Sequence, residues 1–110
     1  MNTTWPPALD ELRAAAAIVH ARMAPTPQHH WPLLDERCGA QVFVKHENHT
    51  PLGAFKVRGG LVYFDRLVAR GDPPRGVIAA TRGNHGQSVA CAARAHVCGH
   101  IRREIVKHRH

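Results

Sequence analysis

Serine occurs once in this chain of 110 residues, at Ser88. Its setting, Gly86-Gln87-Ser88-Val89, lacks the Gly-x-Ser-x-Gly form of a nucleophile elbow, so a Ser-His-Asp hydrolase has little support. Cysteine is also scarce. Cys38, Cys91 and Cys98 are odd in number and lack the spacing of a disulfide framework, which points to reduced thiols and a cytoplasmic location. The longest apolar run, Ala14 to Val19, falls far short of the roughly 20 residues that a membrane span requires. The opening Met1-Asn2-Thr3-Thr4-Trp5-Pro6-Pro7 has neither a basic n-region nor an apolar h-region, so no secretory leader is expected. Neither a P-loop nor a dinucleotide glycine fingerprint occurs.

What is present is the composition of a globular protein, with 44% hydrophobic and 21% charged residues. The length accommodates one small domain and excludes two well-packed ones. The formal charge is +7, but it is unevenly spread. Residues 96–110 carry Arg102, Arg103, Lys107 and Arg109 against the single acid Glu104, and four histidines besides (His96, His100, His108, His110). A basic stretch of this kind can touch a polyanion through phosphate contacts, yet no nucleic-acid-binding module accompanies it. The same histidines with Cys98 lack a Cys-x-x-Cys pair or an anchoring carboxylate, and no metal site is expected.

Helical and extended patterns alternate along the chain. Pro6-Pro7 followed by Asp10 and Glu11 suits a helix start, and Leu9, Leu12, Ala16 and Val19 form a stripe, predicting a helix over about 8–23. Gln41 to Lys45 reads as a strand and Glu47 to Gly53 as a turn-rich loop. Val57, Leu61, Phe64 and Val68 then share a helical face, ended by Gly71-Asp72-Pro73-Pro74. Val77 to Ala80 is a short apolar run consistent with a buried parallel strand, and helical spacing returns from His85 to Ala95. This order predicts an α/β fold: an incomplete open parallel sheet with flanking helices.

Two loops follow the expected strands and open helices, the edge at which open α/β sheets bind ligands. The first is Gly53-Ala54-Phe55-Lys56-Val57-Arg58-Gly59-Gly60. A lysine that attacks an aldehyde must lose a proton from a group with a free pKa near ~10.4, and burial together with a helix N-terminus favours that loss. A solvated lysine at a helix start, with glycines for close packing, is the alternative. The second loop is Thr81-Arg82-Gly83-Asn84-His85-Gly86-Gln87. Its amides, hydroxyl and Asn side chain suit a carboxylate or phenolate oxygen, although Asn84 is equally suited to simple N-capping.

Together the loops carry a resemblance. Lys45-His46-Glu47-Asn48 followed by Pro51-Leu52-Gly53-Ala54-Phe55-Lys56-Val57-Arg58-Gly59-Gly60 resembles the active-lysine segment of the threonine dehydratase and serine racemase family, pyridoxal-phosphate (PLP) enzymes of the tryptophan-synthase-β fold type, fold-type II. Val77 to Ala90 resembles that family's carboxylate-binding segment, in the right order downstream, while Thr26-Pro27 and Trp31-Pro32-Leu33-Leu34 resemble the stretch ahead of its first strand. The resemblance covers about residues 8–95. It implies that Lys56 forms the Schiff base with PLP and moves the substrate α-proton, that Phe55 lies beside the cofactor ring, and that Asn84 hydrogen-bonds the PLP phenolic oxygen. Thr81, Gly83, Asn84 and His85 would surround the substrate carboxylate. Arg82 departs from the small residue common at its position and leaves the substrate open.

The family's reaction is an ammonia-lyase one: α,β-elimination of water from a β-hydroxy amino acid, giving a 2-oxo acid and ammonia. Its members are expected to be homo-oligomers acting on a small amino-acid substrate, without nucleic acid or membrane. The family's glycine-rich phosphate loop has no counterpart here, and the sequence after Ala95 does not match the family's continuation. Residues 1–95 are therefore expected to be the N-terminal part of a dehydratase-like domain, and 96–110 a divergent basic tail outside the fold. A catalytically inert, truncated or frameshifted remnant is the alternative to an active enzyme, and a small basic interaction protein is a third reading.

Overall fold

A computed structural model describes residues 5–96; the charged stretch 97–110, with Cys98, His100, His108 and His110, lies outside the described residues. The element order is α1 (Leu9–His20), β1 (Gln28–His30), α2 (Pro32–Cys38), β2 (Phe43–Lys45), a short 3-10 helix (Glu47–His49), α3 (Lys56–Ala69) and α4 (Asn84–His96).

Helix α1 starts where Glu11 Oε2 accepts the Ala8 N–H at 3.0 Å, with Asp10 and Glu11 at the positive end of its dipole. Of its predicted stripe only Val19 is buried among the described residues, and Ala16 is exposed. Val19 is buried together with Met23, while Leu9 and Leu12 stay 59% and 52% exposed. A shallow groove of about 560 Å³ runs between α1 and α3, floored by Leu12, Ala16, Val19 and Val62.

The core is small: Val19, Met23, Val57, Leu61, Phe64, Ala92 and Ala93. It matches the predicted face of α3 through Phe64, with Val68 only half-buried. Helix α4 contributes alanines and one serine, so it approaches α3 closely. Ser88 Oγ donates to the Lys56 carbonyl oxygen at 2.6 Å, and Gly60 lies against Ser88 and Ala92. At the other end, His96 Nε2 stands 3.6 Å from Asp65 Oδ1. Contacts that pair 56 with 88, 60 with 92 and 65 with 96 mean that α3 and α4 run parallel.

The sheet differs from the expected one. Strands β1 and β2 pair antiparallel, with Gln28 opposite Lys45, His29 opposite Val44 and His30 opposite Phe43. Neither β1 nor α2 is legible as a sequence pattern, since Gln28-His29-His30 has no β-branched residue and α2 is barely two turns. Asp35 holds this subunit of structure together. Its Oδ1 accepts the Val42 N–H at 2.7 Å and its Oδ2 meets His30 Nε2; the Val42 amide, ahead of His30, holds the Asp35 carboxyl below its ordinary value.

Residues 77–80 form no ladder among the described residues, contrary to the expected parallel strand. Val77 and Ala79 are half-buried while Ile78, at 86%, and Ala80 are exposed, an alternation of period two. Val77 packs against the core cluster, and no neighbouring strand pairs with the segment among the described residues. No helix among the described residues is long and apolar enough to cross a membrane.

Candidate active site at the paired helix starts

The predicted lysine is the first residue of α3. The turn that delivers it is stapled by Thr50, whose hydroxyl accepts the Ala54 N–H at 2.9 Å and lies 2.8 Å from the Ala54 carbonyl oxygen as its donor. The Gly53 N–H donates to the Thr50 carbonyl at 2.9 Å, and Gly53 adopts φ +69°, where a side chain would strain the turn. Phe55 caps the helix and is 60% exposed; Lys56 is exposed beside it, with Nζ 5.5 Å from the Phe55 ring centroid.

The second predicted segment opens α4. Thr81, not Asn84, supplies the side-chain cap: its hydroxyl accepts the Gly83 N–H at 3.2 Å and the Gly86 N–H at 3.0 Å. Gly86 is packed so closely against the Thr81 methyl that a Cβ there would overlap it. Asn84, the first residue of α4, is exposed, as are Thr81, Gly83 and His85.

Ser88 brings the two segments together. It lies one helical turn after Asn84, so both residues occupy the same face of α4. Ser88 reaches the Lys56 carbonyl directly and is 2% exposed. Asn84 is therefore on the α3 side of its helix, one turn beyond the Lys56 backbone, and the N-termini of α3 and α4 open side by side. Two parallel macrodipoles present their positive ends there, favourable for a phosphate, phenolate or carboxylate oxygen.

Sequence reasoning missed Ser88 as a link and missed a second group behind the lysine. Arg58, the third residue of α3, donates through Nε to Glu47 Oε2 at 2.6 Å and through Nη2 to Glu47 Oε1 at 2.8 Å. The buried Thr26 hydroxyl donates to Glu47 Oε1 at 2.6 Å, and the Lys45 ammonium donates to the Thr26 carbonyl. The Arg58 guanidinium, then the Thr26 hydroxyl, hold the Glu47 carboxyl down to about 2. Spacings of 11 and 21 residues follow no secondary-structure period, so only the Glu and Arg themselves are visible in sequence.

The family model described as pyridoxal-phosphate dependent enzyme matches residues 19–101. The chain belongs to this family. Pyridoxal phosphate is the family's cofactor, and Lys56, Asn84 and the amides of the α4 start all fall within the matched stretch. Among curated relatives, the biosynthetic L-threonine dehydratase of Corynebacterium glutamicum is 34% identical over 80 residues, 73% of this chain and 18% of the relative. The catabolic L-threonine dehydratase of Escherichia coli K12 is 34% identical over 98 residues, 84% of this chain and 29% of the relative. The L-threo-3-hydroxyaspartate ammonia-lyase of a Pseudomonas species is 45% identical over 64 residues, 56% of this chain and 19% of the relative. The chain thus spans less than a third of the length of these relatives. No solved structure matches it significantly.

Proposed function

We propose that this chain carries the lysine- and carboxylate-binding part of a PLP-dependent ammonia-lyase that acts on a β-hydroxy amino acid. The observation that supports this best is the link from Ser88 Oγ to the Lys56 carbonyl, which sets an exposed lysine beside the start of α4. An aldehyde-bearing aromatic anion suits those groups: an amine for the aldehyde, the Phe55 ring for a flat face, and paired helix dipoles for the negative oxygens. When bound, PLP supplies the electron sink that acidifies the substrate Cα–H.

The chain's residues then have separable tasks. Lys56 Nζ would hold the cofactor aldehyde and would be the base that takes the substrate α-proton. Asn84 offers an amide N–H to the phenolic oxygen. Thr81, Gly83 and His85 line the edge at which the substrate carboxylate is held. Loss of the α-proton and the β-hydroxyl amounts to loss of water, and hydrolysis of the released imine yields the 2-oxo acid and ammonia. L-Threonine and L-threo-3-hydroxyaspartate are the substrates that the relatives' names suggest first.

The parallel packing of α3 and α4 also supports the open parallel sheet of fold-type II. Helices that cross over between parallel strands run alongside one another in this way, and the alternating burial of 77–80 suits a strand between them.

Incubation with PLP followed by borohydride should add the pyridoxyl mass to the peptide carrying Lys56, and Lys56→Ala should abolish that product. An identical adduct elsewhere in Lys56→Ala would overturn the assignment. Ammonia release from L-threonine or L-serine tests the full reaction. The exposure of Phe55 and Lys56 favours a second reading, a chain that takes up the cofactor without turnover. Trapping at Lys56 with no ammonia would establish it.

A further inference from the structure

We propose that Glu47, Arg58 and Thr26 are positioning residues that aim Lys56 through its backbone; the proposal rests on the assignment of Lys56 as the cofactor lysine. The Lys56 side chain is exposed and its ammonium lies over Phe55, so its direction depends on how the first turn of α3 is held. That turn is gripped from two sides. On the α4 side, Ser88 Oγ holds the Lys56 carbonyl. On the opposite side, two residues further on, Arg58 forks onto both oxygens of Glu47.

Glu47 is in turn fixed by Thr26, whose hydroxyl accepts from Arg58 Nη2 at 3.2 Å while donating to Glu47 Oε1. Thr26 immediately precedes Pro27, whose carbonyl accepts the His46 N–H at 2.9 Å, and its own carbonyl takes the Lys45 ammonium. The grip therefore ties both ends of the loop 47–58 to the chain beside the β1–β2 pair. A bidentate guanidinium–carboxylate pair fixes orientation as well as distance, which one ammonium cannot reproduce. An attacking amine is sensitive to such placement, since a displacement of about 1 Å can cost up to about a hundredfold.

The test uses the whole chain, PLP as the probe, and borohydride trapping followed by peptide mapping. Its readout is the share of pyridoxyl label on Lys56 against Lys45 and Lys107, measured on the folded fraction. Wild type should label chiefly at Lys56. Glu47→Gln and Arg58→Lys should each lower the rate and selectivity of that labelling roughly tenfold with unchanged helical circular dichroism. Thr26→Val keeps the ion pair and shape but removes the hydroxyl, and should lower them by a smaller factor. A purely structural role would shift the melting temperature and leave the Lys56 share of the folded fraction unchanged.

Selective labelling in wild type that persists in all three variants overturns the positioning role and leaves Lys56 as the cofactor lysine. If Glu47→Gln and Arg58→Lys do not fold, Thr26→Val decides: reduced selectivity supports the role and unchanged selectivity overturns it. Unselective labelling of wild type overturns both the role and the assignment on which it rests.

Discussion

Glu47 accepts three hydrogen bonds within 2.6–2.8 Å, two of them from one guanidinium. A carboxylate so well supplied with donors resists protonation, and its pKa falls from 4.5 to about 2. Because the folded value lies below the unfolded one, the group's contribution to stability is present above about pH 4.5. It is lost as the pH falls towards 2. Glu47 and Arg58 remain about a quarter exposed, so solvent screening limits the effect to about 1 kcal/mol. Melting temperatures recorded between pH 5 and 2 should therefore fall more steeply for wild type than for Glu47→Gln. Parallel curves would mean that the ion pair contributes nothing in solution. Lys56 and Asn84 stood out in the sequence because each opens a helical pattern after a glycine-containing loop. The partners of Glu47 were not, since a fork closing over 11 residues leaves no periodic trace.

Helices α3 and α4 meet through a substitution-sensitive pair. A Cβ added at Gly60 would overlap Ser88 Oγ and stand 3.1 Å from the Ser88 carbonyl oxygen. The serine hydroxyl would have to rotate away, leaving the Lys56 carbonyl without its donor. Gly60→Ala should thus destabilise by about 1–2 kcal/mol from overpacking, even though alanine is the better helix former. In a Ser88→Ala background the same change should cost less by about 1 kcal/mol, because no hydroxyl remains to be displaced. Denaturant midpoints of the four chains check this, and simple additivity would contradict it. Both helices were readable from their spacing because amphipathic periodicity is a property of one segment. Their parallel contact was not, since the signal is a glycine on one and a serine on the other, 28 positions apart.

Across the whole molecule, helices were more legible than strands for a physical reason. A helix satisfies its hydrogen bonds within itself, whereas a strand is defined by its neighbour. Gln28-His29-His30 becomes a strand because β2 lies beside it, while Val77-Ile78-Ala79-Ala80, more strand-like in composition, stays unpaired among the described residues. That unpaired segment has a consequence for behaviour at high concentration. Among the described residues no strand pairs with it, and its isoleucine faces outward, the combination through which separate chains adhere edge to edge. Light scattering by the isolated chain should rise with concentration, and Ile78→Lys should suppress the rise by charge repulsion while sparing the packed face of Val77 and Ala79. Equal scattering by both would locate the adhesive surface elsewhere, with Leu9 and Leu12 on α1 the next to change. A four-residue segment, of which Val77 packs against the core, would then set the colloidal stability of the chain.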